Sequence, residues 1–495
     1  MPAFSLDPEQ TTWCARLRTL AAERLRPLAD QGEPGRVNRP LVAALGELGL
    51  LARLFDSGAL DLCLMRESLA QVCTEAETAL ALQGLGAHPV AAFGTPDQRR
   101  RWLPEVTAGR AVPAFALSEP AAGSDAAALT LRAVPDPGTG GWRLYGEKRW
   151  ISNAPEADFM TVFARMGEGG GGVGGAGGAG GAGGRDAARM GEGSGLGGAG
   201  GVGGRDAARA GGEDRGARVA HGDREAGDPG EAHGAGEAHS AREASGARGA
   251  SGAREARDPG EAHAAHGVEA HGARDSRRVT AFLVPADRPG LTGEPLDMLA
   301  PHAIGGLAFD GVPVGPEDVL GEPGQGFKVA MNTLNLFRPS VGAFAVGMAQ
   351  AALDATLAHT ADRRAFGGVL ADLQAVAHQV AEMATRTEAA RLLVYAAAEA
   401  YDRGDPDVPR RAAMAKLLAT ETAQYVVDAA VQLHGARALQ RGHLLEHLYR
   451  EVRAPRIYEG ATEVQRTIIA KELYRSGKAR TDKSYAPRSG AGVPA

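Results

Sequence analysis

Up to about residue 112, apolar side chains return every three or four positions. The stretches "WCARLRTLAAERLRPLA" and "PLVAALGELGLLARL" show this spacing, which predicts helices with one buried face. "GTPDQRRRWLPEV" adds a start signal: Thr95 as a cap and a proline in the first turn. From about Val112 the period shortens to two. "VPAFALSEP", "WRLYGEKRWISNA", "FMTVFAR", "VTAFLVPA" and "GGLAFDGVPV" are short β-rich runs separated by Gly, Pro, Asp and Asn, and they predict strands. From about Gly324 to Arg475 the helical spacing returns. It runs through "QAVAHQVAEMATRTEAARLLVYAAAEAYD" and "RRAAMAKLLATETAQYVVDAAVQLHG", with Gly404 and Pro406 between them. Helices this long suit a bundle. The polar end after Ser476 predicts a disordered tail.

Composition interrupts this plan once. Residues 167–276 hold about half of the 70 glycines, and no aromatic residue falls between Phe163 and Phe282. The segment repeats itself: "GGRDAAR" begins at 183 and 203, and "DPGEAH" at 228 and 258. With so little apolar surface, burial cannot offset the entropy of ordering the chain, which predicts a disordered insertion. Its histidines, His221, His233, His239, His263, His266 and His271, read as part of a solvated linker rather than a metal site. "GSGLGG" at 193–198 fits a dinucleotide-binding pattern, but no strand precedes it and no helix follows, so it carries no such function. The insertion falls between two predicted strands. Lengthening a loop from about 10 to about 110 residues costs only about 2 kcal/mol of closure entropy, which a stable domain tolerates.

The expected organisation is therefore α+β. It comprises a helical domain (1–112), a β-domain (113–320) carrying the insertion (167–276), a helical bundle (321–476) and a tail (477–495). A net charge of −6 gives no sign of nucleic-acid binding. Cys14, Cys63 and Cys73 are an odd, sparse set without metal spacing, which suits a reducing cytoplasm. The N-terminus lacks a secretion-signal pattern, and no 18-residue apolar run predicts a membrane span.

Five segments carry candidate chemistry. "FALSEPAAGSD" (115–125) is a strand entering a small-residue turn whose free N–H groups and hydroxyls suit a phosphate or a flavin edge. "KRWISNA" (148–154) holds a tryptophan on a strand. "RRAFGGVLADLQ" (363–374) offers arginines, whose planar fork grips phosphate. "QLHGARAL" (432–439) follows a long helix. "YEGATE" (458–463) places a glutamate and a glycine before the final helix.

In order and spacing, these segments resemble the acyl-CoA dehydrogenases over nearly the whole chain outside the insertion and tail. The resemblance implies helices, a β-barrel-like domain and a C-terminal four-helix bundle, with FAD as cofactor. It places Phe115, Leu117 and Ser118 along the flavin ring, Ser124 at the pyrophosphate and the thioester ligand, Trp150 over one flavin face and Ser152 near N5. Ile151, Ala461 and Glu463 join the cofactor contacts. Arg363, Phe366 and Gln374, with Gln432, Gly435 and Ala436, would grip the FAD of a neighbouring subunit, which implies a homotetramer. Here the chain departs from the family's Gln-x-x-Gly-Gly-x-Gly: Ala436 and Ala438 stand where glycines are usual.

The resemblance assigns Glu459 as the base that takes the α-proton of an acyl-CoA thioester while a β-hydride passes to the flavin. Asn335, Arg338, Ser124 and Gly460 would meet the substrate. Such a proton is too weakly acidic for an unaided carboxylate, so the site must stabilise charge on the thioester oxygen, and desolvation must strengthen the base. Some members carry the base directly before the CoA-binding arginine. Here that residue is Phe337, so Glu459 has no competitor. A decarboxylating, glutaryl-type substrate is disfavoured, because residues 74–95 contain no arginine. Electrons would pass to an electron-transferring flavoprotein. An oxygen-using oxidase or monooxygenase of the same fold is the alternative enzyme, and a scaffold that recruits partners through the insertion is the non-enzymatic one.

Overall fold

The computed structural model describes residues 6–167 and 278–484, with side chains described to Arg475. Almost the whole predicted insertion, and residues 485–495 of the predicted tail, lie outside the described residues.

The N-terminal part is helical as its spacing predicts. Asp7 caps the helix Pro8–Leu20. Thr95 caps Pro96–Thr107, its hydroxyl accepting from the Gln98 amide while the Gln98 side chain accepts from the Thr95 N–H. The run 40–54 is not one helix but two, Arg39–Glu47 and Leu50–Asp56. Gly49 between them has φ +73°, a left-handed conformation that ends a helix and that glycine adopts without steric penalty.

The middle part is one eight-stranded sheet built from β1 (Pro113–Ala116), β2 (Arg132–Asp136), β3 (Gly141–Ser152), β4 (Phe159–Met166), β5 (Val279–Pro285), β6 (Leu291–Pro295), β7 (Ile304–Val314) and β8 (Val319–Leu320). The order is β6-β7-β3-β2-β4-β5-β8, with β1 added in parallel to β4. The hydrogen-bonded path runs from β6 to β8 and stays open. The alternating runs predict β1, β3, β4, β5 and β7. The short β2, β6 and β8 carry too few apolar residues to be seen that way. Strands β4 and β5 are antiparallel neighbours, with Arg165 opposite Val279. The Met166 N–H donates to the Arg278 carbonyl at 2.8 Å. The long insertion thus leaves and rejoins the sheet at two strand ends already bonded to each other.

The C-terminal part is built on the helices Gly326–Asp362, Gln374–Asp402, Val408–His434 and Thr462–Ser484. The last helix corrects the expected boundary at residue 476: its backbone hydrogen bonding carries on through polar sequence to Ser484. Gly326–Asp362 is long and apolar enough to cross a membrane, but 72% of its most apolar window is buried inside the protein, as in a core helix. That helix packs against the N-terminal helix Ala59–Ala70 and joins both helical parts in one hydrophobic core. Two further cores lie on the sheet and where it meets the helix Thr74–Phe93.

Candidate functional site

Glu459 lies in the turn between a 3-10 segment, Ala454–Arg456, and the final helix. Its backbone is left-handed, with φ +53°, and Gly460 follows at φ +98°. Glycine adopts such a conformation freely, but for Glu459 it is costly unless the surroundings fix it. Here several donors do so. Arg338 Nε and Gln465 Nε2 both donate to the Glu459 carbonyl at 3.3 Å. Lys416 Nζ and Gln465 Nε2 both donate to the Gly460 carbonyl at 2.8 Å. Below the turn, Glu421 accepts from Arg456 and from the Thr462 hydroxyl. A Cβ at residue 460 would stand 2.4 Å from Gln465 Nε2, so any larger residue there would displace the side chain that holds this turn, besides straining the backbone.

The Glu459 side chain is poised rather than satisfied. Oε2 is buried and has no hydrogen-bond partner, although the residue as a whole is partly exposed. Among the described residues its N–H has no backbone acceptor. Burial lifts the carboxyl above the ordinary carboxylate range, while Arg66, Lys416 and Arg338 pull it down. Arg66 comes from the N-terminal helix Ala59–Ala70. Its guanidinium forms a buried pair with Glu77 and donates to the Ser340 hydroxyl at 2.7 Å. Burial opposes its charge, yet Glu77, Tyr458 and Glu459 together outweigh that and hold its pKa above the usual arginine value. Lys416 is fully buried, and burial brings its ammonium down to about 8. Arg338 is also buried, and its NH1 reaches Asn335 Oδ1 at 3.4 Å.

Of the expected substrate contacts, Asn335, Arg338 and Gly460 therefore gather around Glu459. Ser124 is exposed in its turn beside Gly123. Ala461 is partly buried where the final helix begins, and Glu463 is exposed in its first turn.

The first two segments also come together. Lys148 Nζ donates to the Leu117 carbonyl at 3.0 Å, and the Arg149 N–H donates to the Ser118 carbonyl at 3.0 Å. Lys148 and Glu119 form a buried pair at 2.8 Å, and Glu119 also accepts from the amides of Thr130 and Leu131. Burial pushes the Glu119 carboxyl up, but Lys148 and these amides outweigh it and hold it below its usual range. The pair thus clamps the turn 117–131 onto β3. Between Lys148 and Ile151 the β3–β7 register slips, and Trp150 takes φ +58°. This bulge turns the indole outward, 48% exposed, instead of into the core. Ile151 is buried and Ser152 partly so. Leu117 is partly buried, and Phe115 packs edge-on to Phe163 at 5.0 Å.

The helix that leads into the third segment meets the fourth. His359 stacks on His434 with ring centroids 4.2 Å apart. Phe366 stands in a two-stranded hairpin, 89% exposed, with Arg363 before it and Gln374 opening the next helix, both exposed. Gln432, Gly435 and Ala436 are exposed at the end of Val408–His434. Ala438 is not: its methyl is fully buried in the helical core.

Models of the N-terminal, middle and C-terminal domains of acyl-CoA dehydrogenases match residues 7–110, 114–179 and 324–474. The chain is 30% identical over 473 residues to the mitochondrial short-chain specific acyl-CoA dehydrogenase of Bos taurus, covering 93% of this chain and 88% of that one. It belongs to the acyl-CoA dehydrogenase family. It is an oxidoreductase of that kind. Its fold matches butyryl-CoA dehydrogenase from Megasphaera elsdenii with a TM-score of 0.70 at 24% identity, over 95% of this chain and all of that one. It matches the FAD complex of PigA with a TM-score of 0.69 at 20% identity, over 96% and 100% of the two chains.

Within this dehydrogenase, sequence reasoning misses Arg66, Glu77, Lys416 and Gln465. A signal existed for the two cations. Each interrupts an apolar helical face, Arg66 between Leu62 and Leu69, and Lys416 between Ala412 and Ala419.

Proposed function

We propose that this dehydrogenase removes the α-proton and β-hydrogen of an acyl-CoA thioester to give the trans-2-enoyl-CoA, with Glu459 as base. The observation that carries the reading is the buried, unpartnered Oε2 of Glu459 on a backbone turn fixed by Arg338, Lys416 and Gln465. The cofactor is FAD, which when bound supplies the acceptor for the hydride leaving the β-carbon. The residues present fit it. Trp150 offers an exposed aromatic face beside the turn at Leu117 and Ser118, and Ser124 offers an exposed hydroxyl. Phe115, Ile151, Ser152, Ala461 and Glu463 complete the contacts assigned to it.

The chain's own part is acid–base and electrostatic. Desolvation strengthens Glu459 as a base, and the nearby cations keep it from being neutralised outright. The unbonded Glu459 N–H is available to the thioester oxygen, where negative charge develops as the proton leaves. Gly460 leaves room for the thioester, and Arg338, Asn335 and Ser124 are the further substrate contacts.

The exposed Phe366, Arg363 and Gln374, with Gln432, Gly435 and Ala436, support a homotetramer in which they hold a neighbour's FAD. The barrel-like form of the sheet domain and the four-helix bundle belong to the same reading. So does an electron-transferring flavoprotein as electron acceptor. A reducing cytoplasm is supported by three cysteines that are all free and buried.

Anaerobic mixing with a series of acyl-CoA thioesters tests the reading: at least one bleaches the flavin, and Glu459→Gln abolishes this. Failure of every thioester, or full turnover by the variant, overturns it. Oxygen consumption without a flavoprotein partner would instead identify an oxidase.

A further inference from the structure

Lys416 is a lysine in the wrong place for a soluble helix. It sits in Val408–His434 with no exposed surface, among Ala412, Ala413, Ala415 and Ala419. Burying an ammonium costs several kcal/mol unless it is compensated. A methionine would fill similar space at far lower cost. Among the described residues, the ammonium makes one side-chain hydrogen bond, to the Gly460 carbonyl at 2.8 Å.

The charged groups facing it are Glu459, Arg338, Glu421 and Glu463. Glu421 is engaged by Arg456 and Thr462. Glu463 is exposed in the first turn of its helix. Arg338 is a like charge, already bonded to the Glu459 carbonyl. Arg66, which also acts on Glu459, is committed to Glu77 and Ser340, and Tyr458 presents a phenol. Within this cluster the buried carboxylate oxygen without a partner is Oε2 of Glu459.

We propose that Lys416 is a positioning residue for the reaction: it fastens the left-handed Glu459–Gly460 peptide and sets one compensating positive charge beside the carboxylate that takes the proton. This rests on the reading of Glu459 as base. The ammonium favours the ionised, proton-accepting form of Glu459. It also remains in place as negative charge develops on the neighbouring thioester oxygen. Burial alone would leave the carboxyl protonated over more of the working pH range; Lys416 opposes that.

The test uses the full-length holoenzyme with Lys416→Met, Lys416→Gln and Lys416→Arg. Glutamine keeps a donor for the Gly460 carbonyl without the charge, and arginine keeps the charge. In Met and Gln the acid limb of kcat/KM moves up by about one pH unit, a tenfold loss of ionised base on that limb. Arg leaves the limb near the wild-type position. Gln, unlike Met, keeps KM and melting temperature near wild type. An infrared titration of the Glu459 carboxyl, identified by its absence in Glu459→Gln, shows the same upward move in Lys416→Gln without any turnover.

A folded Gln or Met variant with an unmoved limb and an unmoved carboxyl band overturns the proposal. If Met does not fold, the Gln variant decides. If wild type is not reduced by any acyl-CoA, or Glu459→Gln turns over normally, the underlying reading fails instead. The infrared titration then still decides whether Lys416 governs the Glu459 charge.

Discussion

Arg66 and Glu77 form an ion pair with side chains 4% and 0% exposed, and the Arg66 guanidinium is the foremost charge acting on Glu459. A pair this dry adds little net stability, yet losing one partner leaves the other charge stranded. Arg66→Met should therefore destabilise the protein by about 3–5 kcal/mol, and Arg66→Met with Glu77→Met should recover most of that loss. Urea denaturation of the two variants checks it. Equal destabilisation of both would show that the pair is not balanced in the way the geometry implies.

Glu459→Gln should lower turnover by at least about 100-fold, the low end for losing a general base. Thioester binding should persist, because Arg338, Asn335 and the Gly460 carbonyl cradle stay in place. Stopped-flow flavin reduction beside equilibrium binding separates the two.

The same residue gives a pH signature. Burial raises its folded-state pKa above the unfolded value. Activity should fall as pH drops through that raised value, because the base is then protonated. Stability moves the opposite way. The contribution of Glu459 is fully present below the unfolded pKa and is lost as pH rises through the folded one. Glu459→Gln should thus melt higher than wild type at neutral pH, and the gap should close in acid. Thermal melts across pH test this, and a variant that melts lower at neutral pH would contradict it.

Gly460→Ala should reduce turnover more than it reduces stability. The added Cβ would meet Gln465 Nε2 at 2.4 Å, and φ +98° strains any L side chain, for a cost of about 1–3 kcal/mol. The easiest relief is to move the Gln465 side chain, which unfastens the carbonyls it holds and shifts Glu459. A drop in melting temperature with kcat unchanged would count against this account.

Replacing residues 168–277 with a short turn should leave flavin content and kcat near wild type. The ends to be joined are already paired across β4 and β5, and the closure entropy at stake is about 2 kcal/mol, in favour of the shorter chain. Loss of folding in the deletion would show that the segment does more than connect two strands.

Much of this protein is legible in its order of residues. Periodicity places the long helices, the Thr95 cap and five of the strands, because burial on one face imposes a repeat that local sequence must carry. Motif order points to the family, and the glutamate before Gly460 is identifiable without coordinates. The short β2, β6 and β8 escape because their pairing depends on neighbours, not on their own residues. The outward turn of Trp150 escapes as well. A tryptophan on a strand ordinarily packs inward, and only the register slip between β3 and β7 sends it to the surface.

The sequence alone determined which residues could supply a base, an anion grip and an aromatic face, since these follow from side-chain chemistry and local spacing. Only the tertiary structure decided the electrical surroundings of Glu459. Arg66, Arg338 and Lys416 come from three helices far apart in the chain, and their Coulomb effect depends on distances and burial that exist only once those helices pack around residue 459.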